Sequence, residues 1–301
     1  MLKELEDNEI KLIIIVFRYI RKRRLQKMFK TLKSYVWVIV FILISYPYTS
    51  ITASDTLSTG KIWKEPITGM EFVWVPGGCY EMGCGNWTSD CFRDEKPVHE
   101  VCVDGFWMGK TEVTQRQWEQ VMGENPSKFK KGDNYPVENV SKPDVKRFIK
   151  KYSSLNKGAY GFRFPSEAEW EYAARSGGKP EKYSGGSDLD QVAWYHGNSN
   201  RSTHSVATKA PNNLGLFDMN GNVNEWCEDT YKGFSYKKHK RNNPVFYDLQ
   251  SAMGVYRGGS WKSQPKDARC GARSFAVTFA KPPYLYPDKN SESGFRLVRS
   301  K

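Results

Sequence analysis

Apolar positions in this chain fall into a few short runs separated by long polar stretches. Met70–Pro76 (MEFVWVP) is apolar, β-branched and aromatic and stops at Pro76-Gly77-Gly78, which predicts a strand closed by a turn. Val101–Met108 predicts a second short strand, and Gly294–Arg299 a terminal one. Three helices are expected. Thr114–Met122 places Trp118, Val121 and Met122 on one face and stops at Gly123. Ser141–Leu155 opens on a capping pattern with Pro143 inside its start, and Val145, Phe148, Ile149 and Tyr152 follow at i, i+3, i+4, i+7. Ser166–Arg175 opens on a Ser166/Glu169 capping box and turns Trp170, Ala173 and Ala174 inward. From residue 178 onward the periodicity nearly vanishes. Gly, Asn, Asp and Ser dominate there, with isolated aromatics.

A further apolar run, Tyr35–Ile44 (YVWVIVFILI), is the heart of an uncharged stretch from Ser34 to Ser54. It is shorter than the roughly 20 residues a spanning helix needs and fits the apolar region of an export signal. Met28–Lys33 supplies the positive segment before it, Ile51-Thr52-Ala53 the small residues after it, and Met28 is a candidate start. Residues 1–53 thus read as an N-terminal extension with a signal peptide or signal anchor. Residues 54–69 read as a short linker and 70–301 as one domain, since no Pro/Ser linker divides it. The expected location is periplasmic or extracellular. The alternative is a protein held in the membrane by residues 35–53, with residues 1–33 cytoplasmic.

Composition refines this picture. The 301 residues carry 46 Lys+Arg against 33 Asp+Glu, a net charge of +13, with ten basic and four acidic residues in the first 34. No basic stripe with interleaved aromatics appears, so no nucleic-acid partner is expected. Lys237-Lys-His-Lys-Arg241 reads as a solvated loop. Aromatics make up 14% of the chain, with ten Trp, and predict an irregular aromatic-packed core that includes Trp194, Trp226 and Trp261. Arg163, Glu169, Arg175 and Arg273 are expected in structural ion pairs. Four His exclude a His-rich metal centre. The six cysteines Cys79, Cys84, Cys91, Cys102, Cys227 and Cys270 are an even set in an exported chain and read as disulfides. No Cys-x-x-Cys occurs, so zinc spacing is absent. Four of the six fall within 24 residues, which predicts at least one local bridge. Cys227 with Cys270 is the favoured pairing for the other two.

Eight ordered segments carry a family resemblance. They are Phe72-Val-Trp-Val-Pro-Gly-Gly78, Lys110-Thr-Glu-Val-Thr114, Tyr135-Pro-Val-Glu-Asn-Val140, the run from Phe162 to Arg175, the run from Asn212 to Trp226, Arg257-Gly-Gly-Ser-Trp261, Ala272-Arg-Ser274 and Gly294-Phe-Arg-Leu-Val298. In that order they resemble the sulfatase-modifying-factor, or formylglycine-generating-enzyme-like, family. The resemblance implies an α+β, C-type-lectin-like single domain with little regular secondary structure, whose first and last strands pair.

The same resemblance implies a chemistry and a departure from it. Family members oxidise a cysteine of a sulfatase peptide to formylglycine with O2, through two cysteines that bind copper(I). The first lies two residues after the Gly-Gly-Ser-aromatic block, a position that Ser263 occupies here. No cysteine follows before Cys270, which matches a structural position of the family. A serine oxygen is hard and neutral and does not replace a thiolate for copper(I), so copper is not expected. Cys270 with Cys227 is the alternative copper pair, and Ser263 as a nucleophile lacks a histidine nearby in sequence. The resemblance also implies a calcium site in Asp218-Met-Asn-Gly-Asn-Val-Asn-Glu225. Asp218 and Glu225 would give carboxylate oxygens, and Gly221 and Val223 backbone carbonyls. Two functions follow. One is an exported, divergent module that binds a protein, peptide or glycan in the cell envelope. The other is an O2-dependent oxidase of the formylglycine-generating type.

Overall fold

Helix starts are written into this chain as hydroxyl caps, and the computed structural model places them at those residues. It describes residues 60–278 and 287–300. The export-signal and anchor readings of residues 1–53 lie outside the described residues. Among the described residues, no helix is long and apolar enough to cross a membrane.

The elements, in chain order, begin with strands β1 (Ile62–Lys64), β2 (Glu71–Val75), β3 (Gly78–Met82), β4 (His99–Val103) and β5 (Phe106–Gly109). Helices α1 (Gln115–Met122) and α2 (Lys142–Leu155) follow, then β6 (Phe162–Arg163), α3 (Glu167–Ala174) and the single turn α4 (Leu189–Val192). Strands β7 (Asn224–Thr230), β8 (Met253–Arg257), β9 (Ser274–Val277), β10 (Ser293–Gly294) and β11 (Val298–Ser300) complete them. Thr114, Ser141 and Ser166 each accept the backbone N–H three residues on, and the side chain there returns the bond.

One sheet runs β1-β2-β5-β11-β6, a second β10-β7-β8-β9, and β3 pairs with β4. Three expectations change here. The predicted strand Val101–Met108 is two strands, broken at Asp104-Gly105. Consequently the early strand does not pair with the terminal one: β5 lies between β2 and β11 and bonds both. At the break the chain passes so close to Trp74 that a Cβ at Gly105 would lie 2.5 Å from its ring, so the position takes glycine. The linker reading of 54–69 also shortens, since β1 extends the sheet through Ile62↔Val73.

Strands β7, β8 and β9 fall in the stretch where periodicity vanishes. The inward positions of β7 and β8 include Glu225, Asp229 and Arg257, all essentially inaccessible, which masks an apolar/polar alternation there. Helix α3 is buried on every side and carries ions inward. Glu167 meets Arg273 at 2.6 Å, and Glu171 meets Arg175 at 2.9 Å and Arg257. Glu95 meets Arg269 at 2.6 Å, also at zero exposure. Arg163 pairs with Glu169 at 2.7 Å nearer the surface. Trp226 is fully buried, but Trp194 and Trp261 are half-buried and belong to the loops.

Asp229 shows what such burial costs. Its Oδ2 accepts the Glu167 N–H at 2.7 Å and its Oδ1 the Phe246 N–H at 2.8 Å. Burial, and then the Glu167 charge, push its carboxyl from 3.8 up to about 7. Between those values the folded chain keeps a proton that the unfolded chain has lost, so this group's contribution to stability falls as pH rises from about 4 to about 7. His239, lowered to about 4 by burial, acts in the opposite direction over part of the same window. The comparison is therefore wild type against Asp229→Asn. In urea titrations the stability of wild type relative to the variant is expected to fall between pH 5 and pH 8. A difference that stays constant or grows would refute the assignment.

Candidate functional site

Two turn-rich segments meet to form the loop face. Residues 218–225 lead into β7, and 257–263 leave β8. Gly221 N–H donates to Gly258 O at 2.9 Å and Trp261 N–H to Asn222 O at 2.8 Å. Gly221 sits at φ 76°, and a Cβ there would lie 2.1 Å from Trp194 O, so only glycine admits this approach. Asn222 is the hub. Its side-chain amide donates to Glu112 at 2.8 Å and to His204 O at 3.2 Å, and its side-chain oxygen accepts His204 N–H at 3.0 Å. His204 stacks on Trp194 at 3.8 Å, with Lys209 Nζ 4.1 Å from the same ring.

Beneath this face lie three buried carboxylates and one guanidinium. Arg296 Nε and Nη2 donate to the two Glu225 oxygens at 2.7 Å each, and Trp170 Nε1 donates to Glu225 at 2.7 Å. Glu112 accepts Val223 N–H at 3.1 Å. Asp218 accepts Ala207 N–H at 2.7 Å through Oδ2, while its Oδ1 is buried with no partner. The negative charge exceeds the one cation. Burial, then Asp218 and Glu225, push the Glu112 carboxyl well up. Burial foremost raises Asp218 to about 6. An orphaned hard oxygen in a pocket of excess negative charge is the feature a calcium ion would use, whereas both Glu225 oxygens are already taken by Arg296 and Trp170. Of these residues, Glu112, Asn222 and Arg296 carry no sequence-based expectation, and Trp170 is expected only as an inward helix residue. Glu112 and Arg296 do lie in the Lys110–Thr114 and Gly294–Val298 segments.

The position of the first family cysteine is closed off differently. Ser263 Oγ accepts the Ser260 N–H at 2.9 Å and thereby caps its own turn. Ser260 Oγ donates to Glu292 at 2.8 Å, and Trp261 Nε1 to Ser291 O at 2.8 Å. Among the described residues, no histidine or carboxylate hydrogen-bonds Ser263 Oγ.

Four cysteines pair locally, Cys79–Cys102 and Cys84–Cys91. The expected Cys227–Cys270 disulfide is absent: both are buried and free. They face opposite ends of α3. Cys270 Sγ donates to Ala174 O at 3.7 Å. Cys227 lies by the helix start, where the Glu167 and Asp229 charges add to burial in raising its thiol well above the ordinary range. Burial pushes Cys270 up to about 12. Both remain thiols, not thiolates.

The sulfatase-modifying factor enzyme 1-like domain family matches residues 59–301. The chain is 31% identical to the "Chaperone protein LppX" of Paenibacillus barcinonensis, over 77% of this chain and 90% of that protein. It is also 31% identical to the formylglycine-generating enzyme of Streptomyces coelicolor, over 55% of this chain and 52% of that enzyme. The solved structure of Treponema denticola variable protein 1 aligns with TM-score 0.66 and 28% identity, covering 80% of this chain and 99% of that one.

Proposed function

This chain belongs to the sulfatase-modifying factor enzyme 1-like family, and from that premise we propose a divergent member that binds a protein, peptide or glycan rather than oxidising a cysteine. The carrying observation is the thiol arrangement. Segment 257–269 contains Ser263 and no cysteine, and the two free thiols are buried at opposite ends of one helix. Copper(I) calls for paired, accessible thiolates. These residues do not fit it, and no oxidative step follows from them.

Calcium at Asp218, Gly221, Val223 and Glu225 is part of the same proposal; the orphaned Asp218 oxygen supports it, and Glu225 would have to share oxygens that Arg296 and Trp170 already hold. Bound there, it would neutralise the carboxylates and hold segment 218–225 in place. The two disulfides support an oxidising compartment, periplasmic or extracellular. The chaperone name of the Paenibacillus relative supports a protein-binding role. The oxidase is the second reading, favoured by the likeness to the Streptomyces enzyme.

A thiol count combined with copper(I) titration separates the two. We expect two thiols to react per chain after denaturation and none before it. Copper(I) should not bind tightly, and a cysteine-bearing peptide should cause no O2 uptake. Stoichiometric copper(I) binding with O2 uptake would replace the binding module by the oxidase.

A further inference from the structure

We propose that a second site, a groove of about 690 Å³ bordered by the tip of the β6 edge, the start of α3 and loop 241–247, binds a neutral oligosaccharide. None of its lining residues belongs to the loop face or to the calcium segment, so it goes beyond the reading above. Its volume falls within the roughly 300–1,000 Å³ of small-ligand sites.

Three hydrogen-bonded side-chain pairs ring the groove. Arg163 grips Glu169 through two bonds of 2.7 Å. Asn243 donates to Asp104 at 2.8 Å and accepts the Asp104 N–H at 2.8 Å. Tyr247 donates to Glu228 at 2.9 Å. Each pair keeps unused capacity: Arg163 Nε–H among its donors, and free lone pairs on Glu228 and Asp104. A polyhydroxylated ring carries donors and acceptors at every hydroxyl, which matches such a mixed rim. Tyr247 is 59% exposed, and its bond to Glu228 fixes the ring as a platform for the C–H face of a sugar.

The loop is held rigid from behind, which lowers the cost of ordering it on binding. Cys102 N–H donates to Arg241 O and Asn243 N–H to Cys102 O, both at 2.7 Å, so the strand bearing the Cys79–Cys102 bridge anchors one end. Buried Asp229 takes Phe246 N–H at 2.8 Å at the other. Asn243 adopts φ 45°, a conformation that asparagine tolerates.

Other ligand classes fit less well. Asp104, Glu169 and Glu228 outnumber Arg163, which Glu169 already holds, so an anionic ligand is disfavoured. Strand β6 offers an edge of only two residues, too short for strand addition by a peptide. The large exposed apolar side chains of the lining are Tyr247 and Val245; the groove offers more apolar than polar surface, with the charged and amide groups at its rim, which suits a ligand that alternates C–H faces with hydroxyls.

The test uses the full chain against a panel of neutral tri- and tetrasaccharides, with trigalacturonate and tri-lysine as charged comparators. Affinity is read by calorimetry, with and without EDTA. At least one neutral oligosaccharide is expected to bind. Binding should weaken by about tenfold or more in Tyr247→Ala, a surface substitution, and less in Tyr247→Phe, which keeps the ring. EDTA should leave it unchanged, which separates this groove from the calcium-dependent loop face. The proposal fails if no neutral oligosaccharide binds, if only tri-lysine or trigalacturonate does, or if Tyr247→Ala binds as wild type does.

Discussion

Replacing Arg296 by Met is expected to destabilise the protein by about 3–5 kcal/mol, the loss typical of a buried ion pair stripped of one partner. The guanidinium is inaccessible and donates to Glu225, to Gly109 O at 3.0 Å and to Phe217 O at 2.8 Å. It ties β10–β11 to the segment before β7 and stands alone against Glu112, Asp218 and Glu225. Two additions make the urea titration diagnostic. Adding Glu225→Gln to the Arg296→Met chain should recover part of the loss, because one orphaned charge disappears. Saturating calcium should recover part of it as well, if the dication occupies the proposed oxygens. A destabilisation below about 1 kcal/mol would mean that the carboxylates are neutral without Arg296.

The second large effect is expected at Cys79–Cys102. The bridged residues are separated by 23 positions, and removing a crosslink over a loop of that size costs roughly 3 kcal/mol. Cys79→Ala with Cys102→Ala should lower the urea midpoint accordingly, and a reducing agent should do the same to wild type. Because Cys102 also bonds Arg241 and Asn243 through its backbone, the loss should be accompanied by faster proteolysis within 241–247. Cys270→Ala, by contrast, removes one buried sulfur and no crosslink. A melting temperature insensitive to reductant would refute the bridge's contribution.

These effects rest on features that differ in how far the sequence exposes them. Helix α1, α2 and α3 were legible because a cap acts within one turn: Thr114, Ser141 and Ser166 each satisfy the N–H three residues on. Strand β2 was legible because Phe72–Val75 is an unbroken apolar run, every residue of it buried. The resemblance located the loop face and Ser263, and the family match over 59–301 agrees with it. Strands β7 and β8 stayed hidden because their buried positions hold Glu225, Asp229 and Arg257, charges that pattern reading assigns to solvent.

The amino-acid order by itself determined the helix starts, the β2 strand, the family and the absence of cysteine at position 263. All of these depend on near neighbours or on ordered blocks along one chain. Tertiary structure alone decided which thiols pair, because strand β7 carries Cys227 and the turn before β9 carries Cys270 to opposite ends of a helix. It also decided that β5 separates β2 from β11, and that Arg296 meets a carboxylate 71 residues away. Such pairings are set by the packing of buried charge and apolar surface across the whole domain, and no local pattern records them.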